Sequence, residues 1–185
     1  MTDGTGDKNR RIVFTGASGG IGAMIRPLLG PHYPGLVLSD KAKPANLLAS
    51  ETFVAADLTR PDEVVAAVKG AHSVIHLGGF SVEGPWETIL QANIIGCYNL
   101  FEAARQAGVK RVVFASSNHA VGFYPRKRKI RTDVTVRPDS RYGVSKAFGE
   151  ALGALYSDKH GMIVTCIRIG FRRIESRKMP RTKRM

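Results

Sequence analysis

Apolar and polar positions along this chain form short blocks whose period alternates between two and about 3.6. Near-continuous apolar runs at residues 11–14, 36–40, 52–57, 73–77, 111–116 and 162–169 read as six buried strands. Between them the apolar residues fall at helical spacing. Met24, Ile25, Leu28 and Leu29 make a first stripe, with Pro27 expected to shorten or kink its helix. Pro61 suits a helix start, and Val64, Val65 and Val68 supply the next apolar face. A long helix is expected over 86–107, stopped by Gly108, and another carries Tyr142 and Lys146 toward Lys159, ending before Gly161. Residues 118–138 show no clear period and read as a loop.

Strands that alternate with helices imply an α/β fold, a doubly wound parallel sheet of the Rossmann type with right-handed crossovers. At 185 residues the chain suits a single domain. Residues 1–10 read as a flexible N-terminal tail, 11–170 as the dinucleotide-binding domain and 171–185 as a basic tail. Apart from the βα alternation, no repeat is evident.

Composition refines this picture. The net charge of +13 raises a nucleic-acid reading, but residues 171–185 alone hold seven Lys or Arg against one Glu, and 126–131 hold five more cations. Charge gathered in a tail and a loop reads as solvated, so no specific nucleic-acid partner is expected, only nonspecific polyanion binding at low salt. No apolar run is long enough to cross a bilayer, so no membrane partner is expected. Cys97 and Cys166 lie in apolar segments without metal-ligand spacing. They read as buried reduced thiols of a cytoplasmic protein, and no metal site is expected. Homo-oligomerisation stays open.

Two patches carry candidate chemistry. Thr15-Gly16-Ala17-Ser18-Gly19-Gly20-Ile21-Gly22 joins the first strand to the first helix. Such a turn lets backbone N–H groups approach a pyrophosphate at a helix N-terminus: Gly16 for the tight turn, Gly19 or Gly20 for close approach, Gly22 for helix-on-strand packing. An ordinary glycine-rich βα turn would look similar. Asp40 ends the second strand, where a carboxylate accepts from adenosine ribose hydroxyls and repels a 2′-phosphate, favouring NAD over NADP. Lys41 and Lys43 weaken that discrimination. Asp57-Leu58 flanks adenine or caps a turn.

The second patch, Tyr142-Gly143-Val144-Ser145-Lys146, sets a phenol and an ammonium four residues apart on one helix face. A tyrosine titrates near pH ~10, so an adjacent cation is needed to bring the phenolate into reach. Ser116-Ser117 at the end of the fifth strand aims a hydroxyl at the same place.

Taken together, these residues and Asn93 resemble the extended short-chain dehydrogenase/reductase superfamily. Within it, 76–83 (His76 to Glu83), 93–96 (Asn93 to Gly96), 114–119 (Phe114 to His119) and Tyr142 to Glu150 look like the uronate dehydrogenases, a likeness spanning roughly residues 10–170. The resemblance implies NAD-dependent oxidation of a hexuronic acid, glucuronate or galacturonate, at C1 to the aldarolactone. It implies Tyr142 as base, Ser117 as hydrogen-bond donor to the same oxygen, and Lys146 on the nicotinamide ribose. It further implies cofactor contacts from Gly16, Gly19, Gly20, Ile21, Gly22, Asp40, Asp57, Leu58, Leu77, Gly78 and Gly79, with Asn93 supporting the active-site helix. Ser81, Asn118 and His119 would touch the sugar, although His119 also reads as an uninvolved loop histidine. A nucleotide-sugar epimerase or dehydratase would share the same core, and a non-catalytic dinucleotide-binding module is a third reading.

After Gly170 the pattern breaks: Phe171 to Met185 has little apolar periodicity and lacks the substrate-binding segment and last strand that the resemblance implies. This reads as a truncated or frame-shifted end, with weak or absent catalysis and an exposed edge at the sixth strand as the corresponding expectations.

Overall fold

A computed structural model describes residues 10–170. The tails expected at 1–10 and 171–185 therefore lie outside the described residues, apart from Arg10. Six strands form one parallel sheet: β1 (Ile12–Thr15), β2 (Leu36–Asp40), β3 (Thr52–Ala55), β4 (Ser73–His76), β5 (Arg111–Ser117) and β6 (Ile163–Ile169), in the order β3-β2-β1-β4-β5-β6. The order reverses between β1 and β4, which opens a crevice at the carboxyl ends of the strands.

Alternation along β1 sends its side chains to two cores. Val13 packs with Val37, Val74 and Val112 beneath α2 (Pro61–Val68), α4 (Gly96–Gln106) and α5 (Arg141–His160), whose Val64, Leu100, Phe101, Leu152 and Tyr156 complete that layer. Ile12 and Phe14 face the other side with Leu36 and Leu38, against Ile25 and Leu29 of α1 (Gly20–Leu29). Burial on both faces is what the near-continuous apolar strands predict.

Several details depart from the sequence reading. Helix α1 runs through Pro27 and ends two residues later; proline in a last turn forgoes one hydrogen bond and tolerates this place. Its stripe includes a buried arginine: Arg26 Nε donates to Glu51 Oε1 at 3.1 Å, and Nη2 to Glu51 Oε2. Burial pushes the Glu51 carboxyl up, but its hydrogen bonds from Arg26 and Leu48 leave it below the usual range.

The long helix over 86–107 is three pieces: α3 (Trp86–Ile89), a π-helical segment (Leu90–Ile95) and α4. The expected loop begins with one 3₁₀ turn (Asn118–Val121). Gly161, at φ 67°, ends α5 in the left-handed region. Cys97 is buried, whereas Cys166 is exposed, contrary to expectation, because β6 forms the sheet's edge among the described residues. Ile163 and Ile167 are half exposed on the same strand. Among the described residues no helix is long and apolar enough to cross a membrane.

Candidate active site

The crevice is a cleft of about 1110 Å³ built from strand ends and helix starts. Its floor begins at β1, where the chain turns at Gly16 with φ 73°. A Cβ there would lie 2.6 Å from Gly78 N and from the Leu77 carbonyl carbon, so only glycine lets the two turns approach. A Cβ on Gly22 would overlap the Gly16 carbonyl oxygen, which is the close helix-on-strand packing the motif predicts. A Cβ on Gly20, which lines the cleft at the start of α1, would meet only open space. The turn is thus a backbone cradle open toward the cleft, at the positive end of a helix, and it fits a dinucleotide pyrophosphate.

A buried junction sets the two turns. Burial, and then the charge of Lys146, depress the pKa of His76 to about 3, so its ring is neutral. Gly78 N donates to Thr15 Oγ1 at 3.3 Å, and the same hydroxyl shares a hydrogen bond with His76 Nδ1 at 2.7 Å. At the end of β2, Asp40 Oδ2 accepts from Ser18 N at 2.9 Å and Oδ1 from Lys41 N at 2.8 Å, holding the carboxylate against the glycine turn. Asp57 does cap a turn, accepting from Thr59 N at 2.9 Å, and it also lines the cleft. That hydrogen bond, followed by the one from Lys41 at 2.9 Å, lowers its pKa to about 2. Lys41, one of the two lysines that blurred the cofactor preference, is thereby drawn onto Asp57.

At the far side, β5 and α5 bring Ser117, Tyr142 and Lys146 into the same cleft. Ser140 caps α5 by accepting from Gly143 N at 2.9 Å, and Glu83 accepts from Tyr142 N at 2.9 Å, fixing where the helix starts. Lys146 Nζ donates to Ala115 O at 2.9 Å and stands 5.4 Å from the Tyr142 ring centroid. Burial lowers the Lys146 pKa to about 8. Burial also raises that of Tyr142, opposed by its hydrogen bond with Ser117. The net shift of the phenol is therefore upward, opposite to the depression expected. The Ser117 hydroxyl donates to Asn118 Oδ1 at 3.2 Å and accepts from His119 N at 3.2 Å. His119 Nδ1 meets Asp139 Oδ1 at 2.8 Å, and its ring stands edge-on to Tyr142 with centroids 5.7 Å apart.

Of the residues expected here, Gly16, Gly19, Gly20, Ile21, Gly22, Asp40, Asp57, Leu58, Leu77, Gly78, Gly79, Ser81, Ser117, Asn118, His119, Tyr142 and Lys146 all line the cleft. Asn93 does not. It is buried in the π-helical segment, accepting from Phe80 N at 2.7 Å and donating to Phe80 O at 2.9 Å and Ser145 Oγ at 3.0 Å. Sequence reasoning missed Thr88, Gln91 and Ala92 on the cleft wall. Their i, i+3, i+4 spacing marks one helix face and was the available signal.

A parallel sheet with a glycine-cradled cleft at its switch point defines a Rossmann-type dinucleotide-binding domain. Residues 12–171 match the NAD dependent epimerase/dehydratase family. The chain belongs to that family. A uronate dehydrogenase of Agrobacterium fabrum is 47% identical over 161 residues, covering 87% of this chain and 61% of that protein. The crystal structure of a glucuronic acid dehydrogenase from Chromohalobacter salexigens superposes with a TM-score of 0.84 at 52% identity, covering 88% of this chain and 61% of that one. A mutant uronate dehydrogenase from Agrobacterium tumefaciens, complexed with NAD, gives 0.80 at 46% identity, covering 84% and 58%. The chain thus spans about 60% of the length of these relatives.

Proposed function

We propose that this protein oxidises a hexuronic acid, glucuronate or galacturonate, at C1 to the aldarolactone with NAD. The observation that carries this reading is the meeting of Ser117, Tyr142 and Lys146 in one cleft with the glycine cradle. The likeness to proteins described as uronate and glucuronic acid dehydrogenases supports the substrate class.

The glycine turn of Gly16, Gly19, Gly20, Ile21 and Gly22 would cradle the pyrophosphate at the start of α1, and Asp40 would take the adenosine ribose hydroxyls. Asp57 and Leu58 flank the adenine, Leu77, Gly78 and Gly79 border the cofactor, and Lys146 holds the nicotinamide ribose. When bound, NAD supplies the acceptor for the hydride leaving C1. The Tyr142 phenolate takes the proton of the C1 hydroxyl, so the carbon–oxygen bond becomes the lactone carbonyl. Ser117 hydrogen-bonds the same oxygen. Because burial disfavours the phenolate, the Lys146 ammonium is the protein's own charge available to stabilise it. Ser81, Asn118 and His119 contact the sugar, and Asn93 acts from behind by holding α5 in place.

A nucleotide-sugar epimerase or dehydratase is the second reading, favoured by the family's breadth. Mixing the protein with NAD and either uronate distinguishes them. NADH that accumulates only with uronate, and falls at least ~100-fold in Tyr142→Phe, is the expected result. Conversion of a nucleotide sugar without net NADH would favour the second reading, and NAD binding without any turnover would reduce the protein to a binding module.

A further inference from the structure

The ends of β2 and β3 set three charged side chains side by side in the cleft. Ala56 N donates to Asp40 O at 3.0 Å, so the strands stay paired up to the point where Lys41 and Asp57 leave them. Asp40, Lys41 and Asp57 all line the cleft. Asp40 is fixed, each of its oxygens accepting one backbone N–H, from Ser18 and from Lys41. Asp57 is fixed as well. Its Oδ1 accepts from Thr59 N and from Thr59 Oγ1, both at 2.9 Å, and its own N donates to Glu63 Oε2 at 2.8 Å. Its Oδ2 is left for the Lys41 ammonium, which stands 2.9 Å away.

The lysine is the loose member of this group. Its side chain is 71% exposed, against 25% for Asp57, so one ion pair decides where a solvated four-carbon stem points. Lys41 also directly follows Asp40, the carboxylate placed to take the adenosine ribose. A 2′-phosphate there would bring about −1.5 to −2 of charge against that carboxylate and would need a cation to offset it. Lys43 does not line the cleft, and no arginine does. Lys146 lines it from the far side, bonded to Ala115 O. Lys41 is the cation in place for the task, and it is engaged elsewhere.

We propose that Asp57 is a specificity-determining residue for the cofactor: by holding the Lys41 ammonium to itself, it withholds the counter-charge that a 2′-phosphate would need beside Asp40. The proposal rests on the dinucleotide reading of the cleft and deepens it. Selectivity for NAD then comes from two carboxylates, one that repels the 2′-phosphate and one that keeps its cation occupied. The hydrogen bond from Thr59 N and then that from Lys41 lower the Asp57 pKa to about 2, so the tether persists through neutral pH.

The test is calorimetric titration of the full chain with NAD and with NADP at neutral pH. The parent is compared with Asp57→Asn, Lys41→Ser, the double variant, and Lys43→Ser/Asp57→Asn. Asparagine keeps an oxygen for the Thr59 donors while removing the charge that holds Lys41, and an unchanged thermal midpoint verifies that each variant folds. The readout is the ratio of NADP to NAD affinity, which a general loss of adenine contacts would not move. Asp57→Asn is expected to raise that ratio about fivefold, the scale of one exposed ion pair. The rise should vanish in Lys41→Ser/Asp57→Asn and remain in Lys43→Ser/Asp57→Asn. Equal rises with and without Lys41 would mean that the lost carboxylate acts through its own charge, and would overturn the tether. Lys41→Ser alone should move the ratio less than about twofold; a fivefold fall would mean that Lys41 already reaches the phosphate, and also overturns it. An unchanged ratio in Asp57→Asn, with NAD still bound, overturns the proposal and leaves the cofactor cleft standing. A parent that binds neither dinucleotide removes the cleft reading and the proposal together.

Discussion

Asn93 Nδ2 donates to Ser145 Oγ over 3.0 Å, joining two buried side chains 52 positions apart in the sequence. Ser145 Oγ in turn donates to the Tyr142 carbonyl at 2.7 Å, and Asn93 also satisfies both backbone groups of Phe80. One amide therefore ties the turn after β4 to the helix that bears the tyrosine and lysine. Asn93→Ala leaves these buried groups without partners, and a loss of about 2 kcal/mol or more is expected, read as the shift in a urea unfolding midpoint. A loss under about 0.5 kcal/mol, the range of ordinary surface substitutions, would mean that water replaces the amide.

Lys146 makes stability depend on alkaline pH. Burial lowers its pKa from 10.5 to about 8, so between those values the unfolded chain binds the proton and the folded chain does not. Folding stability from this group therefore rises as pH climbs from about 8 to 10.5, and the burial penalty on the ammonium is felt in full below that window. Lys146→Met should flatten that part of the stability curve relative to the parent, measured by denaturant unfolding at several pH values. A parallel pair of curves would contradict the assigned burial.

Much of this was legible in the sequence. Strand-length apolar runs mark all six strands within two residues: the central strands are buried and leave few polar positions to blur them, and the partly exposed edges β3 and β6 are still apolar runs. Gly108 and Gly161 marked helix ends for a local steric reason, both adopting positive φ. The glycine turn, Asp40, Ser117, Tyr142 and Lys146 were found because their chemistry sits at strand and helix ends. What escaped depends on contacts far apart in the chain. Arg26 lies inside an apolar stripe and reads as surface until Glu51, 25 residues away, is seen beside it. Asn93 holds Phe80 as well as Ser145 of the active-site helix, and the Phe80 contact has no signal in the sequence. The stretch after the 3₁₀ turn shows no period because its ties, Arg137 N to Ala120 O and Tyr124 Oη to Thr135 O, join positions that carry no pattern of their own.

Gly122 and Asp139 are coupled by sterics. A Cβ at Gly122 would overlap the Asp139 carboxylate, the group that orients His119. Gly122→Ala is expected to cost about 1–3 kcal/mol as an overpacked site. Asp139→Ala removes the obstacle, so the double variant should be less destabilised than the sum of the single changes. Strict additivity in the cycle would show that the methyl group is accommodated elsewhere.

The Gly16 turn leaves little room for error. Gly16→Ala forces a side chain onto a left-handed residue and into Leu77 and Gly78 at 2.6 Å. The strained backbone alone costs about 1–3 kcal/mol, and the collision displaces the turn that borders the cleft. A lowered thermal midpoint together with weakened NAD binding is expected. Full retention of both would mean that the two turns do not need to approach each other.

The dinucleotide cleft is the claim on which the sugar chemistry and the roles of Tyr142 and Ser117 depend. Calorimetric titration of NAD into the protein tests it most directly. Saturable binding at one site per chain is expected, weakened about tenfold in Asp40→Ala as its hydrogen bonds to the ribose are lost. No binding by the parent protein, or equal affinity in the Asp40 variant, would contradict it.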